Sequence, residues 1–172
     1  MRVYIPATLA MLQQLVADGS LRPLSGTAFA VTPTLRESYA EGDDEELAEV
    51  AISEAALASL RLLAGAGGDE QAGPSSQGRP LRRAVLVADA DATARPDLDD
   101  AVVRVSGRIT LDQVVAAYVD NSDAEPAVKA AIAVVDDADL GDEDAEFIVG
   151  DAQDHALAWY ATQELPFLLD LL

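Results

Sequence analysis

Asp89, Asp91, Asp97, Asp99 and Asp100 crowd into twelve residues directly after the apolar run Ala84–Ala88. Ligands of open α/β sheets gather at the carboxyl ends of strands, and Asp89 stands at such an end if that run is a strand. Asp89 and Asp91 are therefore the candidate ligands for Mg²⁺, a hard cation that takes oxygen donors and assists phosphoryl chemistry. The partners for that chemistry are missing from the sequence. There is no Walker A motif and no GxGxxG, and the single Lys, Lys129, belongs to a helical pattern elsewhere. The same five aspartates equally suit a solvated turn-rich surface loop.

The other chemically suggestive groups are also incomplete. A calcium loop needs oxygen ligands at positions 1, 3 and 5, with Gly at 6 and Glu at 12. Starting at Asp137 puts Asp139 at position 3, but Gly141 at 5 and Asp142 at 6. His155 is the only histidine and Asp154 adjoins it, yet neighbours in sequence usually point apart, and no G-x-S-x-G elbow accompanies them. The chain has no Cys, which removes thiolate chemistry and disulfides. His155, Trp159 and Tyr160 are accordingly read as core or interaction residues. No cofactor is expected, and the residues do not decide whether the protein is an enzyme.

Charge narrows the function classes further. The 172 residues carry a net charge of −20. Residues 1–86 hold 11 acidic and 7 basic side chains (−4), whereas 87–172 hold 20 and 4 (−16). Such a field repels nucleic acid and anionic lipid, both of which are bound through Lys and Arg. No uncharged apolar window approaches the length of a membrane span, and the N-terminus lacks the pattern of a signal peptide. The expected partners are another protein or further copies of this chain, with solubility the plainest role of the charge.

Half of the residues are hydrophobic, enough for one ordinary core, so a single domain over 1–172 is expected. Arg2–Ile5 and Thr27–Val31 read as strands. Ala84–Ala88 reads as the central strand, buried on both faces, and Ala101–Ile109 alternates as a strand near an edge. Helices are expected from Pro6, from Asp44 through Ala64, from Pro126 and from Pro166, because proline is tolerated at a helix start and acidic residues favour its positive end. Thr110 and Gln113 have capping-box spacing for a short helix, giving way to a strand near Tyr118. Residues 145–152 fit helix or strand. Gly65–Pro80, without a large apolar residue, reads as a flexible loop.

Proline opens a helical pattern four times, in YIPATLAML, AVTPTLRE, DAEPAVKAA and QELPFLLDLL, which is the punctuation of strand-to-helix junctions. The fold expected is α/β or α+β, with a mixed sheet of about five or six strands and flanking helices. The C-terminal block DHALAWYATQELPFLLDLL is expected to close the core. In it Trp159 lies between Leu157 and Ala161 at the spacing of one strand face, which predicts a buried indole.

The opening MRVYIPAT, the stretches TAFAVTPTLRE and EELAEVA, and the ending HALAWYATQELPFLLDL together resemble an uncharacterised family of short acidic proteins from actinobacteria. The resemblance implies a cytoplasmic protein and carries no activity with it. Function at this level is unknown. The favoured reading is a non-catalytic, acidic, cytoplasmic protein-interaction or regulatory module, and the alternative is a small Mg²⁺-assisted enzyme using Asp89 and Asp91.

Overall fold

The computed structural model describes residues 1–22, 26–39, 41–68 and 80–171. The first half runs β1 (Arg2–Ala7), α1 (Leu9–Asp18), β2 (Ser20–Leu21), β3 (Thr27–Phe29), α2 (Pro33–Ser38) and α3 (Asp44–Gly68). The second runs β4 (Ala84–Asp89), β5 (Ala92–Ala94), β6 (Val102–Val105), β7 (Ile109–Thr110) and β8 (Val114–Val119). It closes with α4 (Glu125–Asp139), α5 (Glu143–Gln153), β9 (Ala158–Ala161) and α6 (Leu165–Asp170).

Among the described residues, seven strands form one sheet in the order β5-β6-β3-β1-β4-β8-β9, and β2 and β7 form a separate two-stranded one. The single-domain α/β character expected from the sequence is present, with more strands than anticipated and with every pairing antiparallel rather than mixed. A helix between two strands does not fix their relative direction. Here α1 and β2 carry the chain back so that β3 runs against β1.

The four prolines explain part of that difference. Pro33, Pro126 and Pro166 do sit at the first or second positions of α2, α4 and α6. Pro6, in contrast, lies inside β1, opposite Val85 of β4. Side chains and backbone groups alternate along a strand, so Pro6 turns its nitrogen to the same side as Tyr4, which pairs with Phe29 of β3. Among the described residues that is the only pairing of β1 with β3, and Pro6 has no N–H to extend it. The helix starts later, at Leu9, capped by the Thr8 hydroxyl accepting from the Met11 N–H. It stops at Gly19, whose φ of 77° and N–H bond to the Leu15 carbonyl close the last turn.

Two helical layers cover the sheet. On one face Val3, Ile5, Leu86, Val103 and Ala117 meet Leu9, Leu12 and Leu15 of α1 and Leu165, Leu168 and Leu169 of α6. The C-terminal helix thus closes this side, as its leucines foretell. On the other face Tyr4, Phe29, Val85 and Val87 meet Leu35 of α2 and Leu47, Ala51 and Ala55 of α3. The far side of α3 is covered in turn, because Leu60 and Leu63 pack with Val128, Ala131 and Val135 of α4 and Val149 and Ala152 of α5. A helix buried by a sheet and by two other helices needs apolar residues around most of its circumference. The breadth of apolar positions on α3 has that cause.

β4 is buried on both faces from Ala84 to Ala88, with β1 on one side and β8 on the other. Its polar junction with β1 and α3 is built by Ser59. The buried hydroxyl donates to the Ala7 carbonyl at 2.7 Å and accepts from the Ala84 N–H at 3.0 Å, bridging the end of the β1–β4 ladder.

Three sequence expectations shift. Gly65–Gly68 continues α3 rather than starting a loop, since Gly costs a helix only about 1 kcal/mol and does not by itself end one. The rest of the expected loop, 69–79, lies outside the described residues. The strand after Thr110 and Gln113 begins at Val114, once a single 3₁₀ turn, Leu111–Gln113, is complete. Residues 145–152 are helical, within α5, whose start is capped by Asp142 accepting from the Ala145 N–H. No helix among the described residues is long and apolar enough to cross a membrane.

Candidate functional site

Arg83 and Asp120 each stand one residue beyond the Ala84–Val119 rung that joins β4 to β8. Their side chains are 1% and 0% exposed. The guanidinium meets the carboxylate as a fork, Nε to Oδ2 at 2.9 Å and Nη2 to Oδ1 at 2.7 Å, and the Arg83 backbone N–H donates to Oδ2 at 2.8 Å. Bidentate geometry of this kind makes Arg the cation best suited to a buried pair. The remaining donors reach outward: Nη1 to Gln153 Oε1 at 2.8 Å and Nη2 to the His155 carbonyl at 2.8 Å. Gln153 in turn donates to the Ser53 carbonyl on α3. One guanidinium therefore ties two strands to the end of α5 and to the 154–157 connector that leads into β9.

A cleft of about 420 Å³ opens above this pair. Glu49 and Ser53 of α3 form one wall, Asp154 and His155 the other, with Arg83 and Tyr118 beneath. His155 is half-buried, and its ring makes no hydrogen bond among the described residues. Its backbone carbonyl, not its imidazole, is what the neighbouring guanidinium uses. The cleft brings no general base to a nucleophile within hydrogen-bond reach, the arrangement that activated hydroxyl chemistry requires.

A second, open depression of about 560 Å³ lies along the outer face of α5, lined by Glu143, Glu146, Phe147, Gly150, Asp151 and Asp154. Ala145, Val149 and Ala152 face the core, so Phe147, on the opposite side of the same helix, points to solvent and is 78% exposed. Asp154 borders both cavities. The two meet at that carboxylate.

Beyond the 154–157 connector comes β9, an edge strand of the sheet among the described residues. Trp159 pairs across to Tyr118 and shares its face. The residue is 56% exposed, which corrects the burial expected from strand periodicity. Period-2 spacing names the face a residue occupies but not whether anything covers it. Here α3 packs chiefly over β1, β3 and β4. Tyr160 is on the opposite face, half-buried against the cluster closed by α1 and α6.

The aspartates singled out from the sequence do not converge. Asp89 is exposed and gripped by Arg2, Nε and Nη2 each 3.1 Å from a carboxylate oxygen, which holds its carboxyl below the usual range. Asp97 is paired with Arg95 in the same way, and Asp100 accepts from the Ser38 hydroxyl at 2.6 Å. Asp91 is exposed in the turn between β4 and β5. Among the described residues no three His, Asp or Glu side chains are grouped to hold a metal ion. The carboxyl displaced upward is Glu54, half-buried on α3, raised first by burial and then by Asp99.

From the sequence, Arg83 is expected at the surface, flanking a strand or facing the acidic half of another subunit, and Asp120 carries no role; the structure instead buries the two together. A signal for them existed: each flanks one of two apolar strands, Arg83 before AVLVA and Asp120 after VVAAYV. Nothing in the sequence says that these two strands are antiparallel neighbours, which is what brings the charges to one rung.

Residues 1–169 match the family described as Family of unknown function (DUF6912), and the chain belongs to it. No curated protein and no solved structure matches the chain.

Proposed function

We propose that this DUF6912 protein is a non-catalytic, cytoplasmic interaction module that binds a basic segment of another protein at the end of the molecule formed by α5, the 154–157 connector and β9. One observation carries the reading. After Lys129 the chain has 11 acidic residues and no Lys or Arg, and on that same stretch Phe147 and Trp159 present aromatic side chains to solvent. Aromatic anchors concentrate binding energy at interfaces, and a field of one sign selects partners of the other. Self-association through this surface would set like charges against each other.

The reading of Asp89 and Asp91 as Mg²⁺ ligands has less support, because Arg2 already occupies the Asp89 carboxylate. Calorimetric titration with Mg²⁺ tests it: saturable heat lost in Asp91→Ala would revive it.

The module reading is tested by titrating Lys-rich peptides that contain apolar residues and following their binding by anisotropy at two salt concentrations. Binding should be saturable, weaken as salt screens the surface, and fall about tenfold or more in Phe147→Ala and in the charge reversal Glu146→Lys. Absence of saturable binding at low salt, or indifference to both substitutions with the fold intact by circular dichroism, would overturn it.

A further inference from the structure

The edge of β9 specifies how such a segment docks. Ala161 donates its backbone N–H to Glu164 Oε1 at 3.2 Å, so this N–H is turned away from β8. Opposed residues of an antiparallel pair alternate between exchanging two hydrogen bonds and exchanging none. With Ala116–Ala161 a non-bonded pair, Ala117–Tyr160 is bonded and Tyr118–Trp159 is again non-bonded. Both backbone groups of Trp159 therefore face outward, along the side of β9 that has no neighbour among the described residues. Glu164 caps the next outward N–H, so the open rung is centred on Trp159.

We infer that β9 accepts an added strand, and that its occupant is an extended partner segment alternating basic and apolar residues; this rests on the interaction-module reading above. A β-segment added to a sheet edge gains main-chain hydrogen bonds, and its alternate side chains meet the two faces of the sheet. Those faces differ in chemistry here. On the face that Trp159 shares with Tyr118 lies the cleft walled by Glu49 and Asp154, which Tyr118 itself lines, and an aromatic ring beside carboxylates suits Lys or Arg. On the other face Tyr160 lies at the rim of the apolar cluster, where an aliphatic side chain extends the core. Charge disfavours the obvious competing occupant. A second copy pairing β9 to β9 would bring two surfaces together that each carry Glu143, Glu146, Asp151 and Asp154 without a single Lys or Arg after Lys129.

The experiment uses the full chain and four synthetic peptides of about ten residues: Lys and Val alternating, the same peptide N-methylated at every Lys, the same peptide N-methylated at every Val, and a block peptide with all Lys preceding all Val. Since Trp159 is the only tryptophan, its emission reports occupancy directly. The alternating peptide should bind saturably and shift that emission. N-methylation in one of its two registers should weaken binding about tenfold or more, because it removes the donors of the added strand. The block peptide should bind less tightly.

On the protein side, Trp159→Pro removes the outward N–H without taking a bond from the β8–β9 ladder, a place where an edge strand tolerates proline. With a labelled peptide it should lose about tenfold in affinity relative to Trp159→Phe, which keeps the donor. Equal binding of the alternating, methylated and block peptides, all salt-dependent, would overturn strand addition and leave the interaction module standing. No binding of any peptide at low salt would remove both. A dimer in sedimentation that disappears in Trp159→Pro would overturn the occupant assigned here.

Discussion

The two ends of β4 carry the same chemical pair in opposite surroundings. Before Ala84, Arg83 and Asp120 are sealed from water and joined by a two-pronged bond. After Ala88, Arg2 and Asp89 make a pair of the same fork geometry with both side chains more than half exposed. Both are bidentate, the buried one with the shorter contacts. Burial separates them, because an exposed pair competes with water and salt, whereas breaking a sealed pair strands a charge that has no other solvent.

The largest effect expected from this contrast follows removal of the buried carboxylate. Asp120→Ala should cost about 3–5 kcal/mol in urea unfolding, the loss typical of a buried charge left without its partner. That is a large share of an ordinary domain's stability. The double substitution Arg83→Met with Asp120→Leu sharpens the point, since apolar replacement of both partners should be less damaging than Asp120→Ala alone. A smaller loss in the single variant than in the double would break the comparison.

A neutral buried group should come next. Ser59→Ala deletes the hydroxyl that bridges the Ala7 carbonyl and the Ala84 N–H, and about 1–3 kcal/mol should be lost as those backbone groups go unpaired. The expected measurement is a lower urea midpoint with an unchanged m-value.

At the exposed end, Arg2→Ala should cost no more than about 1 kcal/mol. Its pH dependence has a definite sign. Arg2 lowers the Asp89 carboxyl in the folded protein, so the stabilisation is complete above the unfolded carboxylate pKa of about 4 and is lost as pH falls through the lowered folded value. Melting curves of wild type and Arg2→Ala should therefore differ slightly at neutral pH and converge in acid. A difference that grows on acidification would contradict the assignment.

The smallest effect is expected at Trp159. Trp159→Ala should leave stability within about 0.5 kcal/mol, as for surface positions generally, and the native protein should emit as a water-exposed indole. A blue-shifted native emission, or a loss of several kcal/mol, would show the indole packed against something.

Strand β4 was legible in the sequence because five consecutive apolar residues between charges can be satisfied only by burial on both sides. α3 was legible for the same reason, in helical form, and α2, α4 and α6 through their prolines. Pro6 was misread, since proline is equally at home where a strand's ladder has no use for its N–H. The candidate surface was half legible. The one-signed charge after Lys129 is plain in the residues, but the exposure of Trp159 and Phe147 depends on which strands α3 packs over and on which side of α5 meets α4.

The sequence by itself determined the apolar periods, the helix starts marked by Pro33, Pro126 and Pro166, the one-domain core and the acidic C-terminal quarter, because each follows from local stereochemistry or from counting charges. Only the tertiary structure decided which strands are neighbours. Strand order placed Arg83 beside Asp120, gave Asp89 to Arg2 and left β9 at an edge, since pairing between distant segments depends on how the whole sheet can be covered, and no short stretch of chain contains that information.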